Sequence, residues 1–300
     1  GVGFQEMIGS NPYKYGIVAG SDSHVSASVN EEFNYTGGHG NIDHSAEMRL
    51  SGAGSVAGEP AILFGSAGVT GVWAPENTRE AIFDGIARKE TFGTSGPLIR
   101  LRFFGGWDFP DSLVRKENFI ERGYKEGVPM GGDLPAKPRR AKAPTFAVWA
   151  MKDPDSGNLD RIQIVKGWYD QRGYGFQKIY DVVWSDDRKP DENGKLPPVG
   201  NTVDVKKATY TNDIGDTQLK AVWTDPDFDP SQHAVYYARV IEIPTPRWST
   251  YDAAVLGVEP PEEVPATIQE RAWASPIWYT PEPSLVKKLD FYPGLQEKLP

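Results

Sequence analysis

Four histidines and no cysteine limit the chemistry open to this chain. Any metal centre must use imidazole, carboxylate or carbonyl donors, and thiolate nucleophiles and disulfides are excluded. The densest cluster of reactive residue types is KYGIVAGSDSH, residues 14–24. Its apolar run Tyr15–Ala19 predicts a strand, and Gly20 and Ser21 lead on to Asp22 and His24. Positions i and i+2 share one face of an extended segment. An acid and an imidazole at the carboxyl end of an apolar strand is how β/α barrels build active sites. Carboxylate oxygen and imidazole nitrogen both suit zinc, manganese or iron, so Asp22 and His24 are candidate metal ligands. The plainer alternative is a turn, with Asp22 capping a loop and His24 exposed.

Other candidates are scattered. Residues 25–70 are rich in Gly, Ser, Asn and Glu and hold Glu31, Glu32, His39, Asp43 and His44. A stretch that long without clear elements is usually functional or mobile. It either completes a metal or anion site, with His39 as a substrate-binding candidate, or is a solvated loop. Arg100 and Arg102 alternate on the strand expected at 98–104 and could hold an anionic substrate bidentately. The alternative is an outward face paired with acids. Asp153, Asp155 and Asn158, and separately Asp225, Asp227 and Asp229, are weak calcium candidates, more simply read as turns. His233 reads as a surface residue. There is no G-x-S-x-G elbow, P-loop or dinucleotide-binding fingerprint, and the glycine spacing of TGGHG is too lax to count as one.

Composition narrows the partners. The chain has 300 residues, 39% of them apolar, with 13 Tyr, 13 Phe and 9 Trp, enough for a substantial core. Its 32 Gly and 25 Pro point to strands joined by many turns. A net charge of −9 argues against nucleic acid or an anionic membrane as partner. No run approaches the roughly 20 apolar residues of a membrane helix. Lack of Cys leaves the compartment open.

The elements that must position these residues can be sketched. Phe4, Met7 and Ile8, followed by Gly9, read as the end of an amphipathic helix whose beginning is not in the sequence. The chain is therefore expected to be a C-terminal fragment. A helix is predicted in PENTREAIFDGIARKE, with Asn77 as N-cap, Glu80 at capping-box spacing and an apolar stripe of Ile82, Phe83 and Ile86. A TSGP turn and the 98–104 strand follow, and a domain boundary is placed near 97. Residues 111–140 read as a long connection carrying one helical turn. Strands are predicted at 145–151, 161–165, 177–184, 202–205, 207–211, 217–223 and 234–243. About seven such strands suggest a sandwich. The Pro-rich tail, 244–300, is expected to wrap the surface as a strap, with strands at 271–274 or 277–279.

Several long phrases carry a family likeness. GSDSH, WAPENTREAIFDGIARKETFGTSGP, GVPMGGDLP, NLDRIQIVKGWYD, VWTDPDFDP and ERAWASPIWYTP are among those that resemble the domain of unknown function 3604 family, through nearly the whole chain. That family is linked to the polymerase-and-histidinol-phosphatase (PHP) superfamily of metal-dependent hydrolases, which have a distorted β/α barrel. The resemblance implies that Asp22 and His24 match the superfamily's late D-x-H metal motif. The early H-x-H motif is nowhere in these 300 residues, so the first part of the barrel is expected to be missing upstream. Relatives often carry export signals, which implies the periplasm.

The expected architecture is α+β and mostly β. Residues 1–97 would be the C-terminal remnant of a PHP-like barrel, and 98–300 a β-sandwich-like domain. The expected function is a fragment of a metal-dependent hydrolase. Zinc, manganese or iron would activate water against a phosphoester or similar ester or amide of a small-molecule substrate. The alternative is a non-catalytic β-sandwich binding module with a degenerate barrel remnant.

Overall fold

The computed structural model describes residues 1–40, 42–52, 55–56, 58–170 and 174–282. The chain opens with helix α1 (Val2–Ile8), then α2 (Ala46–Leu50) and a minimal hairpin of β1 (Ser55–Val56) and β2 (Glu59–Pro60). Next come β3 (Val69–Val72), α3 (Arg79–Ala87), β4 (Thr91–Thr94), β5 (Arg100–Gly106), α4 (Phe119–Glu126) and β6 (Gly127–Pro129). The long strands are β7 (Thr145–Met151), β8 (Leu159–Tyr169), β9 (Gly175–Trp184), β10 (Gln218–Thr224) and β11 (Ala234–Glu242). The chain continues through β12 (Thr245–Pro246), α5 (Trp248–Leu256), β13 (Thr267–Ile268), β14 (Arg271–Ala274) and β15 (Ile277–Tyr279).

These strands build a mostly β, antiparallel architecture. One sheet runs β10-β7-β5-β6 and the other β3-β4-β14-β11-β8-β9, with β15 also on β11. The two sheets face each other across one core. Phe146 of β7 packs 4.5 Å from Tyr236 of β11 and stacks on Phe103 of β5 at 5.5 Å. Alternating in-facing residues of both sheets fill the space between, as in a sandwich. Strands from both sides of residue 97 share the larger sheet, because β4 pairs with β14 in the register Thr94↔Ala272.

Several local expectations are corrected. The strand predicted at 15–19 does not form. Its backbone is instead held by side-chain hydroxyls: Ile17 N–H donates to Ser275 Oγ and Ala19 N–H to Thr70 Oγ1, both at 2.8 Å. Thr70 Oγ1 donates back to the Ala19 carbonyl at 2.7 Å. The segment lies too close to the sheet for larger residues, since a Cβ on Gly93 would sit 3.0 Å from the Ala19 Cβ. Tyr15 is left 64% exposed.

The helix cap is Thr78 rather than Asn77, its hydroxyl accepting from Ala81 N–H at 3.3 Å. The apolar stripe of α3 faces solvent, with Phe83 68% exposed. Small residues decide this packing. Ala81 and Gly85 form the buried face, and a Cβ on Gly85 would meet Val72 Cγ1 at 2.8 Å. The strands expected at 202–205 and 207–211 reduce to one bridge between Asp204 and Thr209. Lys207 N–H donates to Asp204 Oδ1 and Ala208 has φ 49°, so the chain turns there. The connection at 111–140 carries a 3-10 turn, the two-turn α4 and β6. The described part of the tail, 244–282, forms both expected strands but also the unforeseen α5, and the rest of the expected strap, 283–300, lies outside the described residues.

The calcium candidates are committed elsewhere. Asp225 Oδ2 accepts from Lys166 Nζ at 2.6 Å and from Tyr236 OH at 2.7 Å. Asp227 accepts from Lys178 and Tyr180, and Asp229 from Ser231. A buried ammonium therefore stands at this turn, and each of its three carboxylates already has donors from the protein. Asp153 accepts from Leu98 and Asp155 N–H groups, while the Asn158 amide donates to the carbonyls of Asn212 and Ile214.

Two predictions follow from these buried charges. Lys166→Met leaves Asp225 buried with its cation gone, and should lower stability by roughly 3–5 kcal/mol in urea unfolding at neutral pH. The second concerns Glu242 and Glu270, both buried. Burial first, then Glu32, pushes the Glu270 carboxyl up to about 8 from 4.5. Burial raises Glu242 in the same direction. A raised carboxyl favours the fold while neutral. That contribution is complete below 4.5 and is lost as pH rises towards 8. Glu270→Gln should therefore gain stability relative to the wild type across this window, by up to about 1.4 kcal/mol per pH unit, measured by unfolding midpoints at several pH values.

Candidate functional site

The site is made by two loops that close on each other. Gly38 and His39 both donate backbone N–H groups to the buried Asp43 carboxylate, at 2.7 and 2.8 Å. This turns the 37–43 loop around a single anion and points His39 inward. Gly37 makes the turn possible: its φ is +82°, and a Cβ there would lie 2.5 Å from the Asp43 carbonyl oxygen. The other loop enters at Asp22, a left-handed residue with φ 51°, a conformation Asp tolerates better than most. His24 N–H then donates to the Gly38 carbonyl at 2.8 Å.

The closure brings two imidazoles together. The rings of His24 and His39 lie 4.4 Å apart, tilted by 35°, and Phe64 stands 6.5 Å from His39. They line a cavity of about 220 Å³ with Ser21, Asp22, Tyr35 and Ser66. Within it, His39 Nδ1 and Ser66 Oγ are buried and have no hydrogen-bond partner. No lysine or arginine is among the described residues lining the cavity. Burial, and then Asp43, pushes the Tyr35 phenol up to about 12, so it remains a neutral donor.

Helix α5 holds this arrangement from the far end of the chain. Arg49 of α2 makes a bidentate pair with Asp252, at 2.7 and 2.8 Å, and also donates to the Asp43 carbonyl. Arg247 donates to the carbonyls of Ile62 and Phe64, both at 2.7 Å. Trp248 Nε1 donates to the Phe64 carbonyl at 2.8 Å, and its ring packs 4.8 Å from Tyr35. In return, Glu32 Oε2 accepts from Trp248 N–H and caps the positive end of α5. Glu32 Oε1 also accepts from Ser66 N–H.

The residues singled out from sequence separate into two groups. Asp22, His24 and His39 share the cavity, and His44 is exposed. Arg100 and Arg102 do not line it. Arg100 is exposed at the start of β5. Arg102 stacks 3.3 Å over the Trp73 ring, donates to Tyr124 OH at 2.6 Å, and lies 3.8 Å from Glu90. Its guanidinium therefore serves packing between elements. His233, expected at the surface, is buried at the start of β11. Asp43 was grouped with the other loop acids without a role of its own, and Ser66 and the α5 contacts went unassigned. The local signal for the first was Gly37-Gly38 ahead of an acid; nothing local marked the others.

The donor types suit a divalent ion: two imidazoles, one with an orphaned buried nitrogen, and an aspartate on the same cavity wall. In number the site is short, since no cluster of three or more His, Asp or Glu at metal-binding spacing is present among the described residues. Gly37→Ala should lose roughly 1–3 kcal/mol of stability, because the new Cβ meets Asp43 and the positive φ disfavours it. Denaturant unfolding checks the loss, and the His39 imidazole resonances should shift.

No curated protein and no solved structure matches this chain. Residues 1–281 match the family described as "Protein of unknown function (DUF3604)". With nearly its whole length matched, the chain belongs to the DUF3604 family.

Proposed function

We propose that this chain contributes part of the metal centre of a PHP-type hydrolase acting on a small-molecule phosphoester or similar ester or amide. The observation that carries the reading is the pairing of His24 with His39 around a buried, unpartnered His39 Nδ1. His24 and His39 would hold a divalent ion, zinc, manganese or iron, with Asp22 as the nearest further donor on the wall. Such an ion supplies a water of lowered pKa for attack on the ester.

The chain's own residues have definable tasks in this reading. Asp43 fixes the loop that presents His39. Ser66 Oγ offers an unused hydroxyl to a substrate oxygen. With no basic side chain on the wall, an anionic substrate finds no guanidinium or ammonium there, which sets aside the role considered for Arg100 and Arg102. The barrel-remnant reading of residues 1–97 belongs to the same proposal. Its support is segment 14–20, apolar and extended, with Tyr15 and Val18 turned to solvent where further strands of a barrel would lie.

The test is titration of zinc and manganese by calorimetry, with metal content checked by mass spectrometry. Wild type should bind, and His24→Ala and His39→Ala should each weaken binding tenfold or more. Asp22→Ala should weaken it less. Absence of binding, or binding unchanged in both histidine variants, would sink the reading and favour a non-catalytic binding module.

A further inference from the structure

A second cavity, of about 100 Å³, is lined in part by residues 30–33 and shares no lining residue with the histidine cavity. Its wall includes Glu31, Glu32, Asp153, Asp155 and Glu270, and no lysine or arginine among the described residues. Acidity alone would make it an ordinary solvated cleft. Glu270 sets it apart. That side chain is 2% exposed, and its Oε1 has no hydrogen-bond partner, while Oε2 accepts from the Ser95 hydroxyl. Behind Ser156, which lines the cavity, Glu242 is fully enclosed and also has an unpartnered Oε1. A buried carboxylate oxygen without a donor is costly, and two so close together more so.

The other acids narrow what could meet these oxygens. Asp153 spends both oxygens on the N–H groups of Leu98 and Asp155. Glu32 spends both on Ser66 and Trp248 N–H groups. No group of three or more acids at metal-binding spacing is present here or elsewhere among the described residues, which argues against calcium. An alkylammonium needs fewer, because it brings its own three donors on a compact charge. Phe33, Tyr210 and Tyr251 also line the cavity, and aromatic faces attract such a cation.

We infer that this cavity binds the protonated amino group of a small primary amine, with Glu270 of its lining as the anionic partner. The site is separate from the histidine pair and does not depend on the hydrolase reading. Ammonium binding should ionise Glu270, so binding is linked to proton release. The groups facing Glu270 are Glu32 from the loop, Glu242 from β11, and the neighbouring Arg271. Glu32 opposes its ionisation, and Arg271 favours it.

Ethylammonium chloride is the probe, titrated calorimetrically into the whole chain at several pH values, with sodium chloride as the ionic-strength control. Saturable binding is expected, with affinity rising about tenfold per pH unit between about pH 6 and 8 and close to one proton released per probe at the low end. Glu270→Gln should weaken binding at least tenfold and remove the pH slope. Absence of saturable binding at pH 8, a pH-independent wild-type affinity, or wild-type binding by Glu270→Gln would each overturn the inference. Saturable calcium binding without ethylammonium binding would overturn it too. Should the variant fail to fold, the wild-type pH slope and proton release decide the matter.

Discussion

The candidate site depends on the hold that α5 takes on the loops before β3. Arg49 and Asp252 are 203 positions apart and make a bidentate pair in a place where water is largely excluded. A charge so placed is costly when left alone, so each residue fixes the other. Arg247 works differently. Its guanidinium is buried, with its pKa pushed down by that burial, and it meets the carbonyls of Ile62 and Phe64. Those carbonyls belong to a segment with almost no ladder of its own, so their hydrogen bonds must come from side chains. The loop's geometry therefore follows from a helix near the other end of the chain.

This arrangement also connects the two cavities. Glu32 caps α5 through one oxygen and takes Ser66 N–H through the other. Ser66 lines the histidine cavity, and Glu32 lines the acidic one. Nearby, Ala67 N–H donates to the Val29 carbonyl, and the Asn30 amide donates to the Gly96 carbonyl. The 29–33 segment is thus a shared partition whose position is set by α5 on one side and by the end of β4 on the other. Beneath it, the larger sheet accepts segment 14–20 through Thr70 and Ser275 rather than through a neighbouring strand.

How much of this could be read from the sequence differs by element. The long strands were legible because alternation and β-branched residues coincide: TFAVWAM and AVYYARVIE become β7 and β11 with few changes. Tyr15–Ala19 has the same composition but found no partner strand, and strand propensity cannot supply one. Helix α5 was hidden by the prolines that flank it, Pro244 and Pro246 before it and Pro260 and Pro261 after, and by a cap drawn from Glu32, 216 residues away. At the site, Asp22 and His24 announced themselves by spacing. The partnership of His24 with His39 did not, because it arises when the 37–43 loop wraps Asp43 and offers the Gly38 carbonyl to His24. The contacts of Arg102 were hidden for a related reason. Its partners Trp73, Glu90 and Tyr124 come from three other places in the chain.

The most direct test of the account is amide hydrogen exchange at Gly38 and His39 in Asp252→Asn, compared with wild type under native conditions. If α5 holds the loop, losing the pair with Arg49 should speed exchange of these two amides tenfold or more. The amides of β7 and β11 should keep their protection. Unchanged exchange at Gly38 and His39 would show that the loop stands without α5, and would contradict the account.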